Sequence, residues 1–304
     1  MKIRTIKNQF NYAISQNTRI GESKRAYKNN QNNDKKGQVF SIQYAENLRD
    51  TANQFSNFLN TNYPQIRLVN DVKTEHVQAW IDEKAPMWSQ KTIDNKVSQM
   101  QVIFTQLGNT FNRKDVELNI VKPHTEKAHT VRDKAMSRED LQLIRDEMQN
   151  RTTEAKKAVE ICARCGLRAK EISRLHSSCI NLDKGVIEVR EGAKNGRNRD
   201  VPIRPQDRLY FEQLKAETQG QYVCKGVSED SLNKGIRRVM ECIGIADKYP
   251  DTSIHAIRKM YATERMEEER KNNQGERKAW EVVQHELGHG RGFRQDLYNT
   301  YVKS

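Results

Sequence analysis

Side chains able to act on a charged substrate gather near the end of this chain: His255 and Arg258, then His289 after Leu287-Gly288, then Tyr298 nine positions further on. A phenol becomes a nucleophile once it loses its proton, and an imidazole titrates near neutrality and can take that proton. A guanidinium stays charged, and its planar fork stabilises negative charge developing on a substrate. Arg168 and Lys194 extend the set from far upstream, and Tyr301 stands as an alternative phenol three residues after Tyr298. The same region spells a competing chemistry. His285-Glu286-Leu287-Gly288-His289 is an HExxH sequence, which on a helix would present two His to zinc with Glu286 as base.

Such residues need elements to position them, and 304 residues suffice for two domains. With 53 Lys+Arg against 40 Asp+Glu the formal net charge is +13, which points to a polyanionic partner, nucleic acid first. Mean hydropathy is −0.94, and no apolar run approaches the ~18 residues of a membrane span. The first residues carry charge and no apolar stretch of a secretory signal, so an intracellular, cytoplasmic protein is expected. Five cysteines, including Cys162-x-x-Cys165, then read as reduced thiols on apolar faces.

Residues 1–37 are rich in Lys, Arg, Asn and Gln with weak apolar periodicity, and read as a basic arm that stays flexible until it meets acidic surface. From 38 to 122 helical stripes dominate. Tyr44, Leu48, Ala52, Phe55 and Leu59 form one, and Ile93, Val97, Met100, Ile103 and Leu107 another behind the cap Ser89. A shorter helix around Trp80 follows Thr74 as its cap, and Lys91 and Lys96 suit a phosphate-facing surface and equally any solvated helix face. Residues 123–135 read as a basic linker. The region 136–304 opens at the helix cap Ser137, continues through the apolar stretch Ala158–Leu167, and then changes period. Val186–Val189 and Val201–Ile203 read as a β-hairpin whose tip holds Lys194 and Arg199, before helices resume at 206–217, 231–243 and 257–270. Glu267 to Arg277 reads as a solvated loop.

Gly166-Leu167-Arg168-Ala169-Lys170-Glu171, the hairpin Lys194, His255-x-x-Arg258, Leu287-Gly288-His289 and Tyr298, in that order, resemble the catalytic boxes of the tyrosine recombinases, the phage-integrase and Xer-type family. The resemblance runs from about residue 136 to the end; residues 38–122 match the core-binding domain in size and helix content. It implies a mainly α (α+β) fold: an all-helical core-binding domain, and a mainly helical catalytic domain with a small antiparallel sheet, gripping opposite sides of a duplex. It also implies strand exchange through a covalent 3′-phosphotyrosine, with Tyr298 as nucleophile, Arg168, Arg258 and His289 on the phosphate, His255 as base and Lys194 protonating the departing 5′ oxygen. Glu171 would hold Arg168, and Arg199 would contact DNA.

No metal or other cofactor is implied. Double-stranded DNA, a homo-tetramer on two sites and accessory DNA-bending proteins are the implied partners, in a nucleoid-associated protein of bacterial or phage origin. The six residues after Tyr298 are few for the C-terminal helix that relatives pass to a neighbouring subunit. A zinc protease built on His285, Glu286 and His289, and a DNA-binding relative without catalysis, are the alternatives.

Overall fold

The computed structural model describes residues 4–30, 36–126, 134–151, 153–193, 198–250, 252–272, 275–290 and 292–302. It divides into two compact units, Met1–His129 and Thr130–Ser304, the division falling inside the stretch expected to link them. Both are dominated by helices, and the described strands form a single three-stranded sheet in the second unit.

The first unit is built from α1 (Ile6–Gln16), α2 (Lys24–Asn29), α3 (Ile42–Asn62), α4 (Thr74–Lys84) and α5 (Gln90–Phe111). The side chains of Thr5, Ser41 and Ser89 cap α1, α3 and α5 by accepting from main-chain N–H groups three residues on. Thr74 is not a cap but the first residue of α4; Lys73 occupies the cap position and its N–H donates to His76 Nδ1 at 2.9 Å. Phe10, Leu48, Phe55, Trp80, Phe104 and Leu107 fill the core. The expected arm is thereby corrected. Ile6, Phe10, Ala13 and Ile14 recur at four, three and one, and they bury α1 against α3 and α5. After Asn112, whose left-handed φ of 53° ends α5, the chain runs extended along the same unit. Gln101 pairs with the main chain at Val116 and Leu118, and Gln78 exchanges two hydrogen bonds with Val121.

The second unit carries α6 (Arg138–Glu147), α7 (Glu154–Cys165), α8 (Ala169–Ser173), the strands β1 (Ile180–Asn181), β2 (Val186–Val189) and β3 (Arg199–Pro202), then α9 (Arg208–Glu217), α10 (Glu229–Cys242), α11 (Ile254–Asn272), α12 (Glu276–Glu286) and α13 (Gln295–Tyr301). The strands pair antiparallel in the order β1-β2-β3, with Ile187 opposite both Ile180 and Val201, so one face of the hairpin joins the core. β1 has only two residues, too short for a period to announce it. Helix α7 is central, packed by α10 and α11. Its Cys162 and Cys165 are core residues; all five cysteines are free thiols, and burial pushes Cys162 up to about 12, far from a reactive thiolate. The expected loop at Glu267–Arg277 is mostly helix: α11 continues to Asn272 and α12 begins at Glu276. Glu268 and Glu269 support that extension by pairing with Arg265 one turn back at 2.6 and 2.7 Å.

Candidate active site

A single glycine explains how the first block is shaped. Gly166 terminates α7 with φ 59°, a left-handed conformation that costs side-chain-bearing residues energy, and a Cβ there would overlap the Tyr261 ring. The turn sets Arg168 at the N-cap of α8. There its N–H donates to Glu171 Oε2 at 2.8 Å and its Nη1 to Glu171 Oε1 at 2.9 Å. The turn also aims the Gly166 carbonyl at Arg258, whose Nη1 donates to it, while Nη2 donates to the Leu287 carbonyl. Arg258 is wholly buried. One guanidinium thus joins the end of α7 to the end of α12, two segments far apart in sequence.

Glu171 is the hub. Besides Arg168 it accepts both Nη atoms of Arg199 at 2.9 Å each, a bidentate pair, and Arg258 Nη1 lies 4.0 Å away. Burial alone would raise its pKa; the hydrogen bonds and charge of Arg199, then the charge of Arg258, outweigh that and hold the carboxyl down to about 2. Burial lowers the pKa of Arg168, the charge of Arg258 lowers it further, and Glu171 opposes both. Three guanidiniums converging on one carboxylate leave positive potential over, which suits a bound anion.

Arg199 corrects the expectation of a DNA contact. It is buried to 5% exposure, its Nε donates to the Glu286 carbonyl at 2.6 Å, and it is spent on positioning Glu171. It also explains the glycine of the second block. Gly288, at φ 66°, would place a Cβ 2.7 Å from Arg199 Nη1. Lys194 lies outside the described residues, although the hairpin that leads to it is formed.

The histidines meet at a tyrosine, though at Tyr301 and not at the expected Tyr298. The Tyr301 ring stands edge-on to His255 at 5.8 Å and to His289 at 5.5 Å, with Lys259 Nζ 6.0 Å from its centroid. Buried Lys259, directly after Arg258, escaped notice in the sequence because a Lys on an otherwise polar helix reads as solvated. Tyr298 sits one turn earlier on α13. Its hydroxyl donates to Glu276, Arg270 Nη2 approaches it at 3.5 Å, and its ring lies against Trp280 and Phe293. Gln284 fixes the loop before α13 by donating to the Gly290 and Gly292 carbonyls at 2.5 and 2.7 Å and accepting from the Arg294 N–H.

The HExxH reading loses its base. Glu286 is buried, accepting from Tyr261 Oη at 2.8 Å and from Arg265 Nη2 and Nε at 2.7 and 3.0 Å. His285 is exposed. Among the described residues no group of three or more His, Cys, Asp or Glu is placed to hold a metal. In the first unit Lys91 is exposed, whereas Lys96 is half-buried, donating to Thr51 Oγ1 at 2.9 Å beside a cleft between α3 and α5 lined by Asn47, Asp50 and Asn95. Burial lowers the Lys96 pKa, with Asp50 opposing.

Residues 134–291 match the model of the phage integrase family, and the chain belongs to that family. The match covers Arg168, Arg199, His255, Arg258 and His289 and stops before either tyrosine. A search of curated sequences gives no match. Among solved structures, XerH recombinase bound to palindromic difH is similar at 14% identity and TM-score 0.62, covering 97% of this chain and 92% of that one. The Tn1549 transposon integrase with transposon right-end DNA is similar at 14% and 0.61, covering 95% and 92%. A lambda integrase dimer on a COC′ core site is similar at 15% and 0.58, covering 86% and 89%. The shared fold is the mainly helical one with a small antiparallel sheet, as expected from sequence.

Proposed function

We propose that this protein is a site-specific DNA recombinase that cuts and rejoins strands through a covalent 3′-phosphotyrosine. The carrying observation is the convergence of Arg168, Arg199 and Arg258 on Glu171, with His255 and His289 flanking a tyrosine of α13. A scissile phosphate in that cradle gains negative charge on its non-bridging oxygens as the tyrosine attacks. Cations already fixed by the protein stabilise it without reorganising, and one such donor is worth ~10²–10³ in rate. Arg168, the more open of the two phosphate-binding arginines, offers its remaining N–H groups. Arg258 offers those not held by carbonyls, and His289 adds a further donor. His255 takes the tyrosine proton, and Lys194 returns one to the 5′ oxygen. The phosphotyrosine conserves the bond energy, so neither ATP nor a metal is needed.

Lys91 and Lys96 are assigned to the phosphate backbone. A homo-tetramer on two duplex sites, with accessory DNA-bending proteins, is the assembly we assign to the reaction; a lambda integrase tetramer bound to a Holliday junction has the same fold at 15% identity. No helix among the described residues is long and apolar enough to cross a membrane. We place the protein in the cytoplasm, with the DNA it acts on.

The test is to incubate the full chain in EDTA with a pool of randomised nicked duplexes and to recover DNA that survives denaturation covalently bound to protein. The expected result is an enriched, cleavable sequence in wild type and none in the Tyr298→Phe/Tyr301→Phe double variant. Absence of any adduct from wild type, or its survival in the double variant, would sink the proposal.

A further inference from the structure

We infer that Tyr301 is the attacking tyrosine, and that Tyr298 is the anchor that holds α13 in place for it. The inference rests on the recombinase reading above and assigns its nucleophile. Its ground is the different company the two phenols keep. Tyr301 is flanked by two imidazole rings, at 5.8 and 5.5 Å, and by the Lys259 ammonium, on a helix that also carries Arg258. A phenolate formed there lies among groups that are cationic or can become so. Its backbone is fixed as well: the Thr263 hydroxyl of α11 donates to the Tyr301 carbonyl at 3.2 Å.

Tyr298 is arranged the opposite way. Its hydroxyl donates to the Glu276 carboxylate, and ionising it would set two anions in contact. Burial and Glu276 both raise its pKa, with Arg270 opposing. Arg270 is already committed to Glu276 as well, through Nε at 2.9 Å. The Tyr298 ring lies against Trp280 and Phe293, 5.8 Å from each, as a packing residue would. Three residues apart on one helix, the two side chains share a face but are offset by nearly a turn. Exchanging them requires α13 to leave Trp280, against which both rings pack.

In the step itself Tyr301 Oη forms a bond to phosphorus and the P–O5′ bond breaks. The phenolic proton passes to an adjoining imidazole, and the 5′ oxygen gains one proton in exchange, so charge and atoms balance with no further reactant.

The experiment digests the wild-type covalent complex, formed on the enriched nicked duplex, and locates the nucleotide-bearing residue by tandem mass spectrometry. The modification is expected on Tyr301. Tyr301→Phe should abolish the adduct, whereas Tyr298→Phe, which removes one hydrogen bond to a charged group, should retain it at a yield lowered by up to about ten-fold. Modification of Tyr298 in wild type overturns the inference, as does an adduct that survives in Tyr301→Phe. The wild-type map does not depend on how either variant folds. A wild type that forms no adduct at all defeats the recombinase reading itself, a result distinct from an adduct on the wrong tyrosine.

Discussion

The two units solve the problem of buried polarity differently. Among the described residues the first buries Gln9, Asn17, Thr51, Ser56, His76 and Gln106, amides, hydroxyls and one imidazole. The second buries eight ionic side chains: Asp140, Glu171, Arg199, Asp207, Arg258, Lys259, Arg265 and Glu286. Taking an ion out of water costs several kcal/mol, and its partners must give that back. A fold required only to be stable and to present a surface can avoid the cost, and the first unit does. The second accepts it, and around Glu171 offsets it by pairing the carboxylate with Arg168 and Arg199; under the proposed function, cations held rigidly and shielded from water would act more strongly on a phosphate than solvated ones. The difference points, without reference to any motif, to the second unit as the one the proposed function places the chemistry in.

The comparison can be broken in three ways. The largest effect is expected from Glu171→Ala, which leaves Arg199 and Arg258 buried without their carboxylate. A loss of about 3–5 kcal/mol is expected, confined to the second unit. Hydrogen exchange followed peptide by peptide reads each unit separately; equal loss of protection in both, or in neither, would contradict the contrast.

Acid should separate the units next. Glu171 has a folded pKa of about 2 against an ordinary 4.5, so its contribution is present above pH 4.5 and is lost as pH falls toward 2, on the order of 3 kcal/mol in all. In the first unit the pKa of His76 is lowered, by burial first, with Lys73 aiding and Glu75 opposing. Its contribution is present above 6.5 and begins to fade below that value, earlier and more weakly. Exchange measured down a pH series should show the first unit responding first and the second responding more. The reverse order would refute the assignment.

The smallest effect is Asn17→Ala. Asn17 donates to the buried Ala13 carbonyl and accepts from Gln38 and Asn109, all neutral partners, of which Gln38 and Asn109 are partly exposed. A loss of about 1 kcal/mol in the first unit is expected from denaturant unfolding. A loss as large as that of Glu171→Ala would erase the distinction between neutral and ionic burial.

What was legible in the sequence was local. Gly166-Leu167-Arg168, His255-x-x-Arg258 and Leu287-Gly288-His289 are short blocks whose glycines and spacing carry their meaning within a few residues, and the family match covers all three. The fate of Arg199 was not legible. A basic residue near a hairpin tip reads as solvated, and only the fold brings it under Gly288 to Glu171. The first helix had a visible stripe, Ile6, Phe10, Ala13 and Ile14, but the Asn and Gln between them diluted it into an apparent arm. The pair of tyrosines was visible as a pair. Which one faces the histidines depends on how α13 packs on Trp280, a tertiary fact that spacing does not encode.

The Arg258 guanidinium, bridging the carbonyls of Gly166 and Leu287, has a consequence for how the molecule is made. During synthesis the first of those oxygens emerges well before the arginine and the second 29 residues after it, so the bridge closes only once the end of α12 has left the ribosome. A nascent chain that can already fold its leading helices still lacks this clasp between α7 and α12.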